Sequence, residues 1–247
     1  MAHGQFIWTD LSTFDMATAR SNYSDLFGWK FAGDDAYDFA FLGDREVAAV
    51  FPMPPRLVEI NMPSFWMSYV QVDELDEAVA RAKSHDGVIV EVAPQAFGDD
   101  ARISLVRDPS GAGFTLYEGP DIAQSQDLSG TVTARYHHVH DIAAIELFYH
   151  DLFGWEFDPI KEVPWPVFNI HHRDGSVVAQ VEEVPESIRG KFRYWMPGLR
   201  VPSSEDVITK LNALGCSPST LLTQGRHIVA DQQGAHFIIQ ESSGCIA

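Results

Sequence analysis

The chain has only two cysteines, Cys216 and Cys245, in 247 residues. That is too few for a disulfide framework, so the fold must rest on a buried apolar core, and the count fits a reducing, cytoplasmic compartment. A single bridge between the two is the less favoured reading. Basic residues are scarce as well: 17 Lys and Arg stand against 35 Asp and Glu, a net charge of −18. Such a surface repels a phosphate backbone and an acidic lipid surface, which excludes nucleic acid and membrane as partners. It leaves open a small molecule, an anion held by a local arginine, or a second copy of the chain in a homodimer. Long apolar runs are missing, since none approaches the roughly 18 residues of a membrane helix. The opening "MAHGQFIWTD" lacks the basic and apolar stretches of a secretory leader. No G-x-x-x-x-G-K-[ST], G-x-G-x-x-G, C-x-x-C, G-x-S-x-G or H-E-x-x-H occurs, so phosphate-loop, dinucleotide and serine-hydrolase readings have no support.

What the chain does have is a repeat. "DLFGW" stands at 25–29 and again at 151–155, an offset of 151 − 25 = 126. Met16, Ala19, Tyr23, Leu26 and Phe27 precede the first copy's glycine, and Ile142, Ile145, Tyr149, Leu152 and Phe153 repeat that spacing. The series i, i+3, i+7, i+10, i+11 is one face of a helix. Asp15 and Asp141 suit its first turn, and Gly28 and Gly154 suit the left-handed stop. A strand precedes each helix ("QFIWTDLS", "TARYHHVH") and β-like runs follow ("AYDFAFLG" and "EVAAVFPM"; "WPVFNIHH" and "SVVAQVEE"). The order recurs from "SFWMSYVQV" through a helix near Asp73, and from "FRYWMPGLRV" through a helix from Ser203 or Ser204 to Leu214. Four strand–helix–strand modules result, two per copy. The polar run at 119–130 separates the copies, giving domains at 1–120 and 131–247 with a linker at 121–130.

Trp8, Asp10 and Leu11, then Asp15, Y-x-x-L-F-G-W, "VAAVFPMPP" (47–55) and "DPSGAGF" (108–114) resemble the vicinal oxygen chelate superfamily. More narrowly, the chain is similar to its tandem glyoxalase, bleomycin-resistance and dioxygenase-like branch. The likeness is denser in the first copy; in the second, "DPSGAG" has become "DQQGAH" (231–236). The resemblance implies an α+β fold of paired βαβββ modules whose strands form a U-shaped mixed sheet around a cleft. It also implies a divalent metal on His, Gln and Glu side chains, which would polarise adjacent substrate oxygens.

The usual first-strand ligand of the family lies seven residues before the acid opening the helix. Counting back from Asp15, Asp73, Asp141 and Pro202 gives Trp8, Trp66, Ala134 and Trp195. The usual last-strand Glu lies seven residues after the turn Asp, and counting from Asp108 and Asp231 gives Thr115 and Ile238. None is a ligand, so no metal cofactor is expected at the usual positions. The expectation is instead an aromatic wall of Trp8, Trp66 and Trp195 with Asp10, Arg102, Thr115 and Tyr136, binding a small apolar or aromatic molecule. Core packing is the competing reading for the indoles. The alternative is a metal-dependent lyase, isomerase or dioxygenase with a relocated Zn, Ni, Mn or Fe site in the second domain. There, alternation puts Tyr136, His138 and His140 on one face, with Glu182, Glu241 or His172 to complete the set. Arg102 and Arg226 each open a strand and can hold a carboxylate or phosphate; pairing of Arg102 with Asp99 or Asp100 is equally open.

Overall fold

The computed structural model describes residues 3–122, 128–161, 163–189, 193–216 and 219–241. Cys245 and the centre of the expected linker lie outside them. Two eight-stranded mixed sheets carry an α+β fold of two tandem repeats. The first sheet begins with β1 (Phe6–Thr13), α1 (Met16–Phe27), β2 (Lys30–Gly33), β3 (Asp38–Leu42) and β4 (Arg45–Pro52). After the short α2 (Pro55–Glu59) come β5 (Phe65–Gln71), α3 (Leu75–Lys83), β6 (Ile89–Phe97), β7 (Ala101–Arg107) and β8 (Gly113–Glu118). The second sheet opens with β9 (Val132–Val139), α4 (Ala143–Phe153), β10 (Glu156–Pro159), β11 (Val167–His171) and β12 (Val177–Glu183). It ends, after α5 (Glu186–Arg189), with β13 (Met196–Val201), α6 (Ser204–Ala213), β14 (Thr220–Leu221), β15 (His227–Ala230) and β16 (His236–Glu241).

The strand order is β2-β3-β4-β1-β5-β8-β7-β6, and the second sheet repeats it with every index raised by eight. In each module the first strand runs parallel to the last, as β1 with β4, β5 with β8, β9 with β12 and β13 with β16. The expected module order therefore holds four times. Three short elements, α2, α5 and β14, escaped the sequence pattern. The α2 helix is one turn opened by Pro55 in its first position, where a missing N–H costs nothing. The β14 strand is only two residues long, too short to show alternation.

Helix ends follow local chemistry. Asp15 accepts from the Thr18 amide at 3.0 Å and Ser203 from the Asp206 amide at 3.1 Å. Gly28 and Gly154 close α1 and α4 at φ of 73° and 68°, the left-handed region that favours glycine. A second device recurs without any sequence signature. Glu118, Glu183 and Glu241, at the ends of β8, β12 and β16, each accept the first free amide of a helix, from Leu75, Ile142 and Ser204.

Two compact units form, and each draws one module from each copy. The first gathers the described residues up to Trp8 with 67–122 and 134–195; the second gathers 9–66, the described part of 123–133, and the chain from Met196. Within the first unit, Trp155 donates its indole N–H to the Gly4 carbonyl at 3.0 Å. Within the second, Trp29 donates to the Gly130 carbonyl at 2.7 Å. Gly4 and Gly130 are themselves 130 − 4 = 126 residues apart. Each DLFGW tryptophan is thus anchored on the segment preceding the other copy's first strand.

The cores differ in their buried polar groups. In the first unit Val70, Leu75, Val79, Phe114, Tyr149, Trp155 and Trp195 belong to one buried cluster. Through it runs a polar chain: Trp195 donates to the Tyr149 hydroxyl (2.8 Å), which donates to Asp108 Oδ2 (3.0 Å), and His137 Nε2 reaches the same oxygen (2.8 Å). Burial alone would raise the Asp108 carboxyl, but the charge and hydrogen bond of His137, with Ala112 N–H and Ser110 Oγ, hold it below its ordinary value. In the second unit Tyr23 donates to Asp231 Oδ2 at 3.0 Å, the same arrangement without the histidine. The sequence equivalent of His137 is 137 − 126 = 11, and Leu11 stands there. Burial therefore prevails over the bonds from Ala235, Gln233, Tyr23 and Gly234, and the Asp231 carboxyl is raised.

Candidate functional site

In the first unit, α3 and α4 cover one face of the strands. Val70, Val72, Phe114 and Leu116 point to that face, so Tyr69, Thr115 and Tyr117 point away from it by alternation. Register carries this far face outward: Tyr69 pairs with Thr115, Thr115 with Leu105, and Tyr117 with Ile103. Phe97 completes an aromatic patch, 6.2 Å from the Tyr69 ring and 6.5 Å from the Tyr117 ring. Thr115 is buried beneath it.

A second far face, on β9, β12 and β11 of the same unit, is polar. Tyr136 pairs with Gln180 and His138 with Glu182; across β12, Gln180 pairs with Asn169 and Glu182 with Val167. His138 Nε2 stands 4.0 Å from Glu182 Oε1, and both side chains are almost wholly buried. Trp165 donates its indole N–H to the other Glu182 oxygen at 2.8 Å, and Gln180 donates to Asn169 Oδ1 at 2.9 Å. A buried imidazole and carboxylate in register on adjacent parallel strands form the kind of arrangement that marks functional sites, because isolated burial of either group is costly.

The second unit has its own far-face patch. Tyr37 donates to Asp10 Oδ2 at 3.0 Å, and its ring lies 5.1 Å from Phe39 and 6.2 Å from Phe51. Asp10 pairs with Ala49, which pairs with Phe39, so the three share a row.

Residues 5–116 match the glyoxalase, bleomycin resistance protein and dioxygenase superfamily. The match falls on the first of the two repeats. It is similar to "Putative glyoxylase CFP32" of Mycobacterium bovis, with 27% identity covering 94% of this chain and 92% of that one. It is also similar to "Anthracycline biosynthesis protein DnrV" of Streptomyces peucetius, again at 27%, covering 97% and 94%. Among solved structures, a Mn(II)-bound glyoxalase from Novosphingobium aromaticivorans aligns with a TM-score of 0.63 at 12% identity, covering 97% of this chain and 82% of that one. That last likeness concerns the fold alone.

Thr115, Tyr136, Asp10 and His138 sit on far faces, and Trp8 is buried in β1. Trp66 and Trp195 do not sit on such faces. Trp66 is fully buried on the helix side, 5.3 Å from Tyr23 and 6.4 Å from Trp29, and Trp195 packs on Tyr149 and Trp155. The reason is one residue of phase. The α3 helix starts at Leu75 with Glu74 in the cap position, and α6 has Ser203 there, so counting back seven lands on Met67 and Met196. A slip of one flips the face of a strand residue. Arg102 also departs: its guanidinium bonds both Asp76 oxygens (3.1 and 3.0 Å) and Glu118 (3.5 Å), neither Asp99 nor Asp100. Arg226 is buried.

The relocated metal set is only partly assembled. His140 is exposed just past the end of β9, and Glu241 is engaged at the start of α6. Among the described residues no three His, Cys, Asp or Glu side chains come together to hold an ion. His138 and Glu182 offer two donors where such a centre takes three or more from the protein, so the residues do not fit the family's usual metal. Trp165, Gln180 and Asn169 were missed by sequence reasoning; only the β12 alternation, with Gln180 and Glu182 between Ala179 and Val181, hints at two polar groups on one side.

Proposed function

We propose that the protein binds a small, flat, aromatic molecule on the far face of β5–β8, without a metal at the positions its family usually uses. The observation carrying this is the Tyr69, Phe97 and Tyr117 ring cluster beside Thr115, in which Phe97 is partly exposed. Clustered aromatic rings of this kind suit an aromatic ligand. The relative named for anthracycline biosynthesis supports the same class of compound. Titration with anthraquinone probes, followed by protein fluorescence, tests it. Phe97→Ala, at a partly exposed position, is expected to weaken binding about tenfold while leaving the thermal transition in place. Unchanged affinity in this variant would remove the reading.

A second reading rests on the His138–Glu182 pair. Here the protein is a lyase, isomerase or dioxygenase whose chemistry centres on β9 and β12, with His138 moving a proton on the bound molecule and Glu182 holding the imidazole. His138→Gln is expected to abolish turnover of any substrate found and to leave anthraquinone binding alone. Normal turnover in that variant would exclude it. Elemental analysis of untagged protein adds an independent arm, since about one tightly held ion per chain would require a third donor beyond this pair.

A further inference from the structure

Where α4 ends in the first unit, a surface pocket of about 400 Å³ opens over Gly154. We propose that it is a binding site for a small dianionic oxyanion, a phosphate or phosphate monoester, separate from the far-face patches. In a chain with 17 basic residues against 35 acidic ones, this one pocket is lined by Arg81, Arg173, His3, His150 and His172. Its size is in the range that holds a small ligand.

The helix end uses part of this charge. Arg81 gives one N–H to the Asp151 carbonyl (3.3 Å), as cationic groups do at a helix C-terminus, and His3 Nε2 lies 3.0 Å from the Leu152 carbonyl. The remaining guanidinium N–H groups of Arg81 are left for a ligand. Arg173 makes no ion pair among the described residues and lies over Gly154, where an added Cβ would meet its Nε at 3.3 Å. A bare glycine therefore lets the guanidinium rest close to the backbone of the pocket floor.

The two carboxylates lining the pocket are already engaged. Asp151 pairs with His85 at 3.0 Å, and Asp174 accepts the Ser176 amide and hydroxyl at 2.9 and 2.6 Å. His172 is partly buried, with its proton affinity lowered by burial and by His3, against the pull of Asp174. Two guanidinium forks and a poised imidazole around an open volume are the groups that recognise a phosphoryl oxygen set.

The test uses the full chain with labelled histidines. Inorganic phosphate and methyl phosphate are titrated separately, and the His172 ring signals are followed by NMR. Saturable shifts at His172 are expected for at least one of them, the tighter one identifying free phosphate or a monoester as the source. Arg173→Gln, on an exposed hairpin, is expected to weaken binding about tenfold with the thermal transition unchanged. Arg81→Gln is expected to weaken it similarly, with a small stability loss from the helix end. No saturable shift with either anion, or parental affinity in Arg173→Gln, would overturn the proposal.

Discussion

Replacing Asp108 with alanine is expected to destabilise the protein by about 3–5 kcal/mol, because one partner of a buried imidazole–carboxylate pair is removed and its donors are stranded. Five groups converge on this carboxylate: His137, the Tyr149 hydroxyl, the amides of Ser110 and Ala112, and the Ser110 hydroxyl. The variant should melt on the order of 10 °C lower. Linkage gives the prediction a second, independent readout. The Asp108 carboxyl is depressed below 3.8 in the fold, so its contribution is complete above that value and disappears as pH falls through the lower folded pKa. Urea midpoints measured from pH 7 to pH 3 should show that decline in the parent and a flatter curve in Asp108→Ala. A loss under 1 kcal/mol at pH 7 would mean the pair is idle.

Asp231 reverses the sign. Its folded pKa is raised, so the folded state holds the proton more tightly; the stabilising contribution is complete below 3.8 and is lost as pH rises through the folded value. Above its folded pKa a buried, ionised Asp231 is a cost. Asparagine keeps an oxygen for the Gln233 and Ala235 amides and a polar group beside Tyr23. Asp231→Asn should therefore cost under about 1 kcal/mol at pH 7, while Asp108→Asn, which loses its attraction to His137, costs more than about 2. The contrast comes from one position, His137 against Leu11. Equal costs for the two asparagines would refute it.

The fold was legible because its cues are local. Capping acids, left-handed glycines and helix-spaced apolar residues act within a few residues of one another, and their repetition 126 positions apart gave the four modules directly. The site was less legible, because it depends on strand phase and register. One residue of error at the start of α3 and α6 put Trp66 and Trp195 on a far face, whereas the chain buries them against the helices. The β9 phase was readable from alternation alone, and His138 stands opposite Glu182 in the register. That Trp165 reaches the same carboxylate depends on a loop of "VPWP", which no periodicity describes. The exchange of modules between copies was invisible too, since equivalent helices carry equivalent apolar faces and either pairing satisfies the pattern.

That exchange explains why five residues are spelled twice, and it sets the last prediction. Trp155 is fully buried, with Tyr149, Phe153, Trp195 and Phe6 around it at ring separations from 4.7 to 5.8 Å. Trp155→Ala removes that packing and leaves a cavity, at an expected cost of about 3–5 kcal/mol. Trp155→Phe keeps much of the ring contact but strands the Gly4 carbonyl, which calls for a smaller loss of about 1–3 kcal/mol. Trp29 faces Gly130 by the same bond, so Trp29→Phe should cost a similar amount in the other unit. If the pentapeptide is a folding device, all three variants lose stability while anthraquinone affinity, measured well below the melting transition, stays at the parental value. A Trp155→Phe protein with normal stability and altered affinity would reverse the assignment: the repeat would then serve binding, and the far faces would not be where the ligand sits.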